Sequence, residues 1–152
     1  KNPFAQHVLS SEMKSDDFEK KYITVVKGII KDDENTINEP IYRPTDDSIK
    51  RVVDPRGQES ITHYKVLERL NDATVVEVKL ETGRTHQIRV HMAHIGHPII
   101  GDELYGYVDE NLIKRQALHA YGLKFKQPRT KEVLAFKAEI PDDMKMLIEK
   151  LR

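Results

Sequence analysis

From Ser60 to Pro98 the chain reads "SITHYKVLERLNDATVVEVKLETGRTHQIRVHMAHIGHP", and this stretch decides the fold. Apolar and polar residues alternate through its first half on both sides of Asn71-Asp72. That alternation, interrupted by a dipeptide suited to a tight turn, predicts two antiparallel strands. A sheet of antiparallel strands is therefore the expected framework of the protein.

The second half of the same stretch predicts a turn at Gly83 followed by a helix. Thr85 is the predicted N-cap, and Gly96 followed by His97-Pro98 marks the helix end. Three apolar residues recur at helical spacing and define the buried face: Ile88, Met92 and Ile95. The stretch is thus a hairpin that leads into a turn and a helix.

Elsewhere the sequence predicts more strands and two further helices. Residues rich in Val, Ile and Tyr indicate strands in "KKYITVVKGII", "ALHAYGLKFKQ" and "EVLAFKAEI", with a turn at "PRTK" between the last two. A short helix is expected near Pro3, and a terminal helix in "PDDMKMLIEKLR". The sequence of residues 31–60 predicts a long excursion or a mobile arm, with two short extended pieces, "EPIYR" and "KRVVD". This order predicts the α+β class, a mixed, mainly antiparallel sheet flanked by a few helices.

Composition limits the kinds of function. The 152 residues suit one domain, contain no cysteine, and carry 25 basic and 25 acidic residues. Disulfides, thiolate catalysis and cysteine-based metal sites are thereby excluded. No apolar run approaches the length of a membrane span and no signal peptide is evident, so we expect a cytoplasmic protein without a membrane partner.

The segment from Thr82 to Gly101 is basic although the whole chain has no net charge. It holds two arginines and four histidines without an acid. His91, His94 and His97 are spaced by three, unlike the i, i+4 ligands of zinc helices, so we expect no bound metal and assign them as surface or hydrogen-bonded groups. A histidine-metal hydrolase is the weaker alternative.

The turn before the helix is a candidate anion site. A helix N-terminus offers free N–H groups, and Arg84, Thr85 and His86 can all bond phosphate oxygens. An ordinary capped helix explains the same residues equally well.

Arg89 and Tyr22 are candidate site residues with structural alternatives. Arg89 lies roughly 60° from Met92 on a helical projection, at the border of the apolar face. A partly buried guanidinium needs an anionic partner, and from spacing alone a structural salt bridge is favoured over a catalytic role. Tyr22 is in a predicted strand, where core packing is favoured over stacking on a base.

Beyond these patterns, "LETGRTHQIRVHMAHIGHPIIGDELYG" resembles the signature of RluA-type RNA pseudouridine synthases. "KKYITVVKG" is similar to that family's K-x-Y-x-A-x-V-x-G strand, with Thr24 where alanine is usual. "RQALHAYGLKF" and "PDDMKMLIEKL" resemble its closing segments. The resemblance extends over nearly the whole chain.

One family motif has no counterpart in the sequence. The nucleophile of the family is an aspartate in an H-R-L-D-x-x-T-S-G loop that comes shortly before the segment resembling "KNPFAQ", and the 152 residues contain no such loop. We therefore expect residues 1–152 to be the C-terminal portion of one catalytic domain, without a second domain, and to be inactive alone.

The resemblance implies isomerisation of uridine to pseudouridine in structured RNA without metal or cofactor, on ribosomal rather than transfer RNA. In that scheme Tyr22 stacks on the base, Arg89 pairs with the catalytic carboxylate, and Ile88 lines the base pocket. Arg84, Thr85 and His86 would meet the RNA. A non-catalytic RNA-binding module of the same fold is the alternative, and the RNA target and the oligomeric state stay open.

Overall fold

The computed structural model describes residues 19–106, 108–126 and 133–152. Its framework is a sheet of six strands: β1 (Glu19–Lys27), β2 (Glu34–Asn38), β5 (Ile61–Arg69), β6 (Ala73–Leu80), β7 (Leu118–Lys126) and β8 (Val133–Lys137). Their order in the sheet is β2-β5-β6-β1-β7-β8, and every neighbouring pair is antiparallel. Two helices are described, α1 (Gln87–His94) and α2 (Asp142–Leu151). The α+β prediction is confirmed.

The predicted hairpin is present as β5 and β6. The turn between them places Asp72 in the left-handed region, at a φ of 53°, which aspartate tolerates better than most residues. The strands predicted from the β-branched segments are also present as β1, β7 and β8. The predicted N-terminal helix and the "PRTK" turn lie outside the described residues.

Residues 31–60 contain a strand that the sequence did not predict. β2 pairs with β5 through five registered residue pairs, but only Ile37 of its five residues is buried. A short edge strand of this kind carries almost no apolar alternation, and the pattern "ENTIN" therefore resembles a loop. The two predicted extended pieces do exist, as β3 (Ile41–Tyr42) and β4 (Val52–Val53), and they form a separate two-stranded sheet. From here on, the arm means residues 41–53 only, a part of the longer predicted segment 31–60.

The core combines sheet residues with the apolar faces of both helices. Val25, Val76 and Val78 are fully buried from the sheet, Met92 from α1, and Leu147 from α2. The predicted apolar face of α1 is confirmed, since Ile88 and Met92 are buried and Ile95 packs against the same cluster. Within the described residues no helix is long and apolar enough to cross a membrane.

The register of the sheet places Tyr22 on the face that carries α1. Residues opposite each other in antiparallel strands project to the same side of a sheet. Tyr22 is opposite Val78, and Thr62 is opposite Leu80, two residues along the same strand. Because Thr62 contacts α1 directly, Tyr22 and the helix share one face.

Candidate active site

The helix α1 begins differently from the prediction. Its N-cap is His86, in the left-handed conformation at a φ of 59°, and no side chain caps the helix. Thr85 is exposed and is not the cap. The predicted N-cap was therefore wrong, because the side chain of Gln87 organises the turn: its Oε1 accepts hydrogen bonds from the backbone N–H of Arg84 at 3.0 Å and from Thr82 Oγ1 at 2.8 Å.

Buried hydrogen bonds fasten α1 to the sheet. Gln87 Nε2 donates to the Ile61 carbonyl and to Thr62 Oγ1, at 3.0 and 2.9 Å. His91 Nδ1 lies 2.7 Å from Thr62 Oγ1, and its Nε2 lies 2.9 Å from the carbonyl of Glu39. Since a carbonyl only accepts, His91 carries its proton on Nε2, and the Thr62 hydroxyl donates to Nδ1. The helix orientation is thus fixed by fully satisfied polar groups.

Arg89 forms a two-pronged ion pair with Asp102. Its Nε and Nη2 donate to the two carboxylate oxygens at 2.9 and 2.8 Å. The Asp102 side chain is 0% exposed, whereas that of Arg89 is 15% exposed. The salt bridge favoured by helical spacing is present, and its partner Asp102 is a residue that the sequence reasoning missed.

Asp102 is held as a carboxylate by its hydrogen bonds. Burial would raise its pKa, but the bonds from Arg89 and from the backbone N–H groups of Tyr105 and Leu104 outweigh burial and lower it. The same hydrogen bond to Asp102 raises the pKa of Arg89. The pair is therefore a fixed buried charge pair whose arginine end reaches the surface.

Tyr105 connects this pair to the arm. The Arg51 backbone N–H donates to the Tyr105 hydroxyl at 2.8 Å, and the hydroxyl lies 2.8 Å from His86 Nδ1. The guanidinium of Arg89 and the ammonium of Lys50 lie 5.2 and 5.7 Å from the centre of its ring. Burial and the neighbouring charges of Arg89 and Arg51 lower the pKa of His86, which favours the neutral imidazole beside the Tyr105 hydroxyl.

Two of the predicted RNA contacts line a small surface cleft. Arg84 and Thr85 face the arm across a space of about 180 Å³, which Ile41, Arg43, Arg51 and Gln58 complete. His86 lies next to them and bonds Tyr105 instead. A larger concavity of about 440 Å³ lies on the opposite face of the sheet, where lysines and glutamates alternate. The predicted site residues therefore lie away from this larger concavity.

Tyr22 and Ile88 are both associated with the main hydrophobic cluster. Ile88 is a member of the buried cluster, and the Tyr22 ring packs against that cluster while the Lys20 ammonium lies 5.5 Å from its centre. The structure thus brings Tyr22, Ile88 and Arg89 to one side of the sheet.

The remaining histidines of the basic segment bond protein groups. His97 Nδ1 lies 2.9 Å from the Lys27 carbonyl, and both nitrogens of His91 have partners. His94 is exposed and lies 4.0 Å from a carboxylate oxygen of Glu39. In residues 19–106, 108–126 and 133–152 no three His, Asp or Glu side chains are grouped to hold a metal ion.

His91 should make the stability of the protein depend on pH. Its side chain is fully buried, and burial lowers its pKa although the carbonyl of Glu39 favours the charged form. Below about pH 6.5 the unfolded state binds a proton that the folded state refuses, so the free energy of unfolding falls as the pH falls. The largest slope for one group is about 1.4 kcal/mol per pH unit. We expect urea unfolding between pH 5 and 7 to show this loss.

The matched variant for that measurement is His91→Gln, which does not titrate. His86, whose pKa is also lowered, titrates in both proteins and cancels in the comparison. The variant should therefore be less stable at pH 7 but show a shallower dependence on pH. Identical slopes in the two proteins would contradict the assignment to His91.

Comparison with known proteins gives a consistent result. Residues 1–94 match the family model described as RNA pseudouridylate synthase. The chain is 46% identical over 152 residues to YlyB, an uncharacterized RNA pseudouridine synthase of Bacillus subtilis. The aligned region covers 100% of this chain and 50% of YlyB. It is 39% identical over 161 residues to the ribosomal large subunit pseudouridine synthase D of Xanthomonas campestris, covering 97% of this chain and 48% of that protein.

Solved structures are similar in fold. Human RNA pseudouridylate synthase domain containing 1 superposes with a TM-score of 0.72 at 25% identity, over 99% of this chain and 72% of that one. Human RNA pseudouridylate synthase domain containing 4 gives a TM-score of 0.75 at 21% identity, over 99% of this chain and 68% of that one. The chain spans about half the length of the curated relatives that it matches.

Proposed function

The chain belongs to the RNA pseudouridylate synthase family, and from this premise we propose that the protein carrying it converts uridine to pseudouridine in ribosomal RNA. Relatives named as ribosomal large subunit pseudouridine synthases support the choice of RNA, because they match 97% of this chain. The proposed substrate also implies a cytoplasmic location. The reaction is an isomerisation and needs no cofactor.

The observation that carries the proposal is the anchored arginine on the α1 face. Arg89 uses Nε and Nη2 to hold Asp102, and within the described residues its Nη1 has no hydrogen bond. The Arg89 side chain is 15% exposed, and we propose that a second carboxylate binds the guanidinium at this nitrogen. We assign that carboxylate to the aspartate nucleophile of an H-R-L-D-type loop. A fixed positive charge opposes the rise in pKa that desolvation would cause and keeps the nucleophile ionised.

The other residues have roles around a flipped-out uridine. Tyr22 stacks on the base and assists proton removal, and Ile88 forms the apolar wall of the base pocket. Arg84, Thr85 and His86 lie where the RNA backbone enters. The carboxylate forms a bond to the nucleoside, and the bond from N1 to the sugar breaks. After the uracil rotates, C5 bonds to the sugar and the bond to the carboxylate breaks, which regenerates the free aspartate. C5 loses a proton and N1 gains one, so that substrate and product have the same atoms.

The test is a tritium-release or mass-spectrometric assay for pseudouridine. The protein as its gene encodes it should modify large-subunit ribosomal RNA in preference to transfer RNA, whereas a polypeptide of only these 152 residues should form none. Binding of the RNA by the encoded protein without pseudouridine would contradict the proposal and support the alternative, a non-catalytic RNA-binding module. The same residues around Arg89 would then serve binding alone.

A further inference from the structure

The cleft between the arm and the turn before α1 is lined by three arginines. Arg43 and Arg51 come from the arm, and Arg84 comes from the turn. Gln58 and the exposed Thr85 add neutral polar groups, and the buried Ile41 completes the lining. The cleft thus gathers cationic donors from two parts of the chain that are more than thirty residues apart.

These three arginines bond only neutral groups. Arg43 Nε donates to the Ser48 carbonyl at 3.1 Å, Arg51 Nη1 donates to the same carbonyl at 3.0 Å, and Arg84 Nε donates to the Glu59 carbonyl at 2.9 Å. Across the described part of the chain, no carboxylate forms a hydrogen bond or ion pair with any of them. None of the three guanidinium groups is paired directly with a carboxylate, which favours binding of an anion in this concave surface.

A nearby arginine provides a contrast. Arg56 is exposed in the segment that follows β4, but it donates from Nε and Nη2 to both carboxylate oxygens of Asp54, each at 2.9 Å. This pair holds the pKa of Asp54 at about 2. Arg56 is therefore neutralised, whereas the cleft arginines are not.

The cleft is continuous with the site around Arg89. The backbone of Arg51 bonds the Tyr105 hydroxyl, and the ring of Tyr105 lies beneath both Lys50 and Arg89. A chain of positive groups therefore extends from the arm to the ion pair with Asp102. If a nucleotide of an RNA strand lies at Arg89, the backbone of that strand would lie along the cleft.

We propose that this cleft binds backbone phosphates of the RNA strand that carries the target uridine. The inference rests on the proposed function and extends it to the arm residues Arg43 and Arg51. Guanidinium forks match phosphate oxygens in two-pronged geometry, and each phosphate contact releases counterions. Because phosphate contacts carry no base information, the cleft would set the position and orientation of the strand.

Salt dependence of RNA binding tests the proposal. Arg43→Gln and Arg51→Gln in the protein as encoded should each weaken binding of a uridine-containing ribosomal RNA fragment by several-fold to about tenfold. The slope of log K against log salt between 50 and 200 mM should become shallower by about 0.7 to 0.9 for each arginine removed. Fluorescence anisotropy of the labelled fragment measures both quantities.

Two further variants make the result decisive. Arg56→Gln removes an exposed but neutralised arginine and should leave the salt slope unchanged. Gln58→Glu adds a carboxylate to the cleft without removing any arginine, and the two backbone hydrogen bonds between Gln58 and Ile41 are retained. Gln58→Glu should weaken RNA binding as much as Arg43→Gln and Arg51→Gln do. Because it removes no arginine, it tests the charge of the cleft even if the arginine variants disturb the arm. Unchanged binding by Gln58→Glu, or equal effects of Arg43→Gln and Arg56→Gln, would overturn the proposal.

The outcome is separable from that of the proposed function. RNA affinity is measured independently of pseudouridine formation. If the encoded protein makes no pseudouridine but the cleft variants lose affinity, the proposed RNA-binding cleft is supported and the proposed enzymatic function is contradicted. If the encoded protein is active but the cleft variants bind RNA normally, the enzymatic function is supported and the RNA-binding role of the cleft is contradicted.

Discussion

Arg89→Ala should reduce pseudouridine formation by the encoded protein by about a hundredfold to a thousandfold, the range found when a fixed charge-stabilising donor is removed from an active site. The reason is that we propose Arg89 Nη1 as the partner of the aspartate nucleophile. Without the guanidinium, an aspartate in a water-excluding pocket has a raised pKa and is protonated at neutral pH. Binding of RNA should weaken by less than about tenfold, because only one of several positive groups is lost.

A structural role for Arg89 predicts a different pattern. Single-turnover rates should be measured at saturating RNA and at a temperature where circular dichroism shows the variant to be folded. Arg89→Lys keeps the charge but lacks the fork, so it should recover part of the rate. If turnover by Arg89→Ala equals that of the unmodified protein, or if it falls only in proportion to the folded fraction, the catalytic assignment is wrong.

Asp102→Ala should lower the free energy of unfolding by about 3 to 5 kcal/mol, the cost of removing one partner from a buried ion pair. The carboxylate receives bonds from Arg89 and from the backbone N–H groups of Leu104 and Tyr105. Truncation leaves the mostly buried guanidinium and the two backbone donors without the acceptor that Asp102 provided. Urea unfolding at pH 7 measures the loss.

Asp143→Ala is the matched control. Asp143 receives the same two-pronged bond from Arg115, at 2.8 and 3.0 Å, but the two side chains are 43% and 41% exposed. Solvent screens this pair, so its removal should cost no more than about 1 kcal/mol. Equal losses for the two aspartate variants would show that burial of Asp102 does not determine its contribution.

The sequence predicted the fold where side chains alternate between core and solvent. In β5 and β6 the alternation is strong, and the hairpin with its turn at Asp72 was predicted correctly. β2 was missed because its backbone hydrogen bonds, which no sequence pattern reports, hold it to the sheet while four of its five side chains are exposed. Thr85 satisfied the preference for an N-cap, but the buried amide of Gln87 made the turn that the cap would have made.

The candidate site was predicted in part. Helical spacing placed Arg89 at the border of the buried face and implied an anionic partner. It did not identify Asp102, which follows Ile99 and Ile100 after the helix ends and reaches Arg89 only through the tertiary fold. The catalytic and RNA-binding roles of Tyr22, Arg84 and Thr85 remain predictions, because the residues alone fit packing and capping equally well.

The position of β1 in the middle of the sheet has a consequence for biosynthesis. One edge of β1 pairs with β6 and the other with β7, which a ribosome produces about 90 residues later, or roughly 5 to 20 s at the usual rate of synthesis. During that interval the apolar stretch from Tyr22 to Val26 has an open edge that another nascent chain could join. Lys20, Lys21 and Lys27 flank it, and charged residues at such positions oppose aggregation. The lysines at the two ends of the central strand would therefore protect the chain before it is complete.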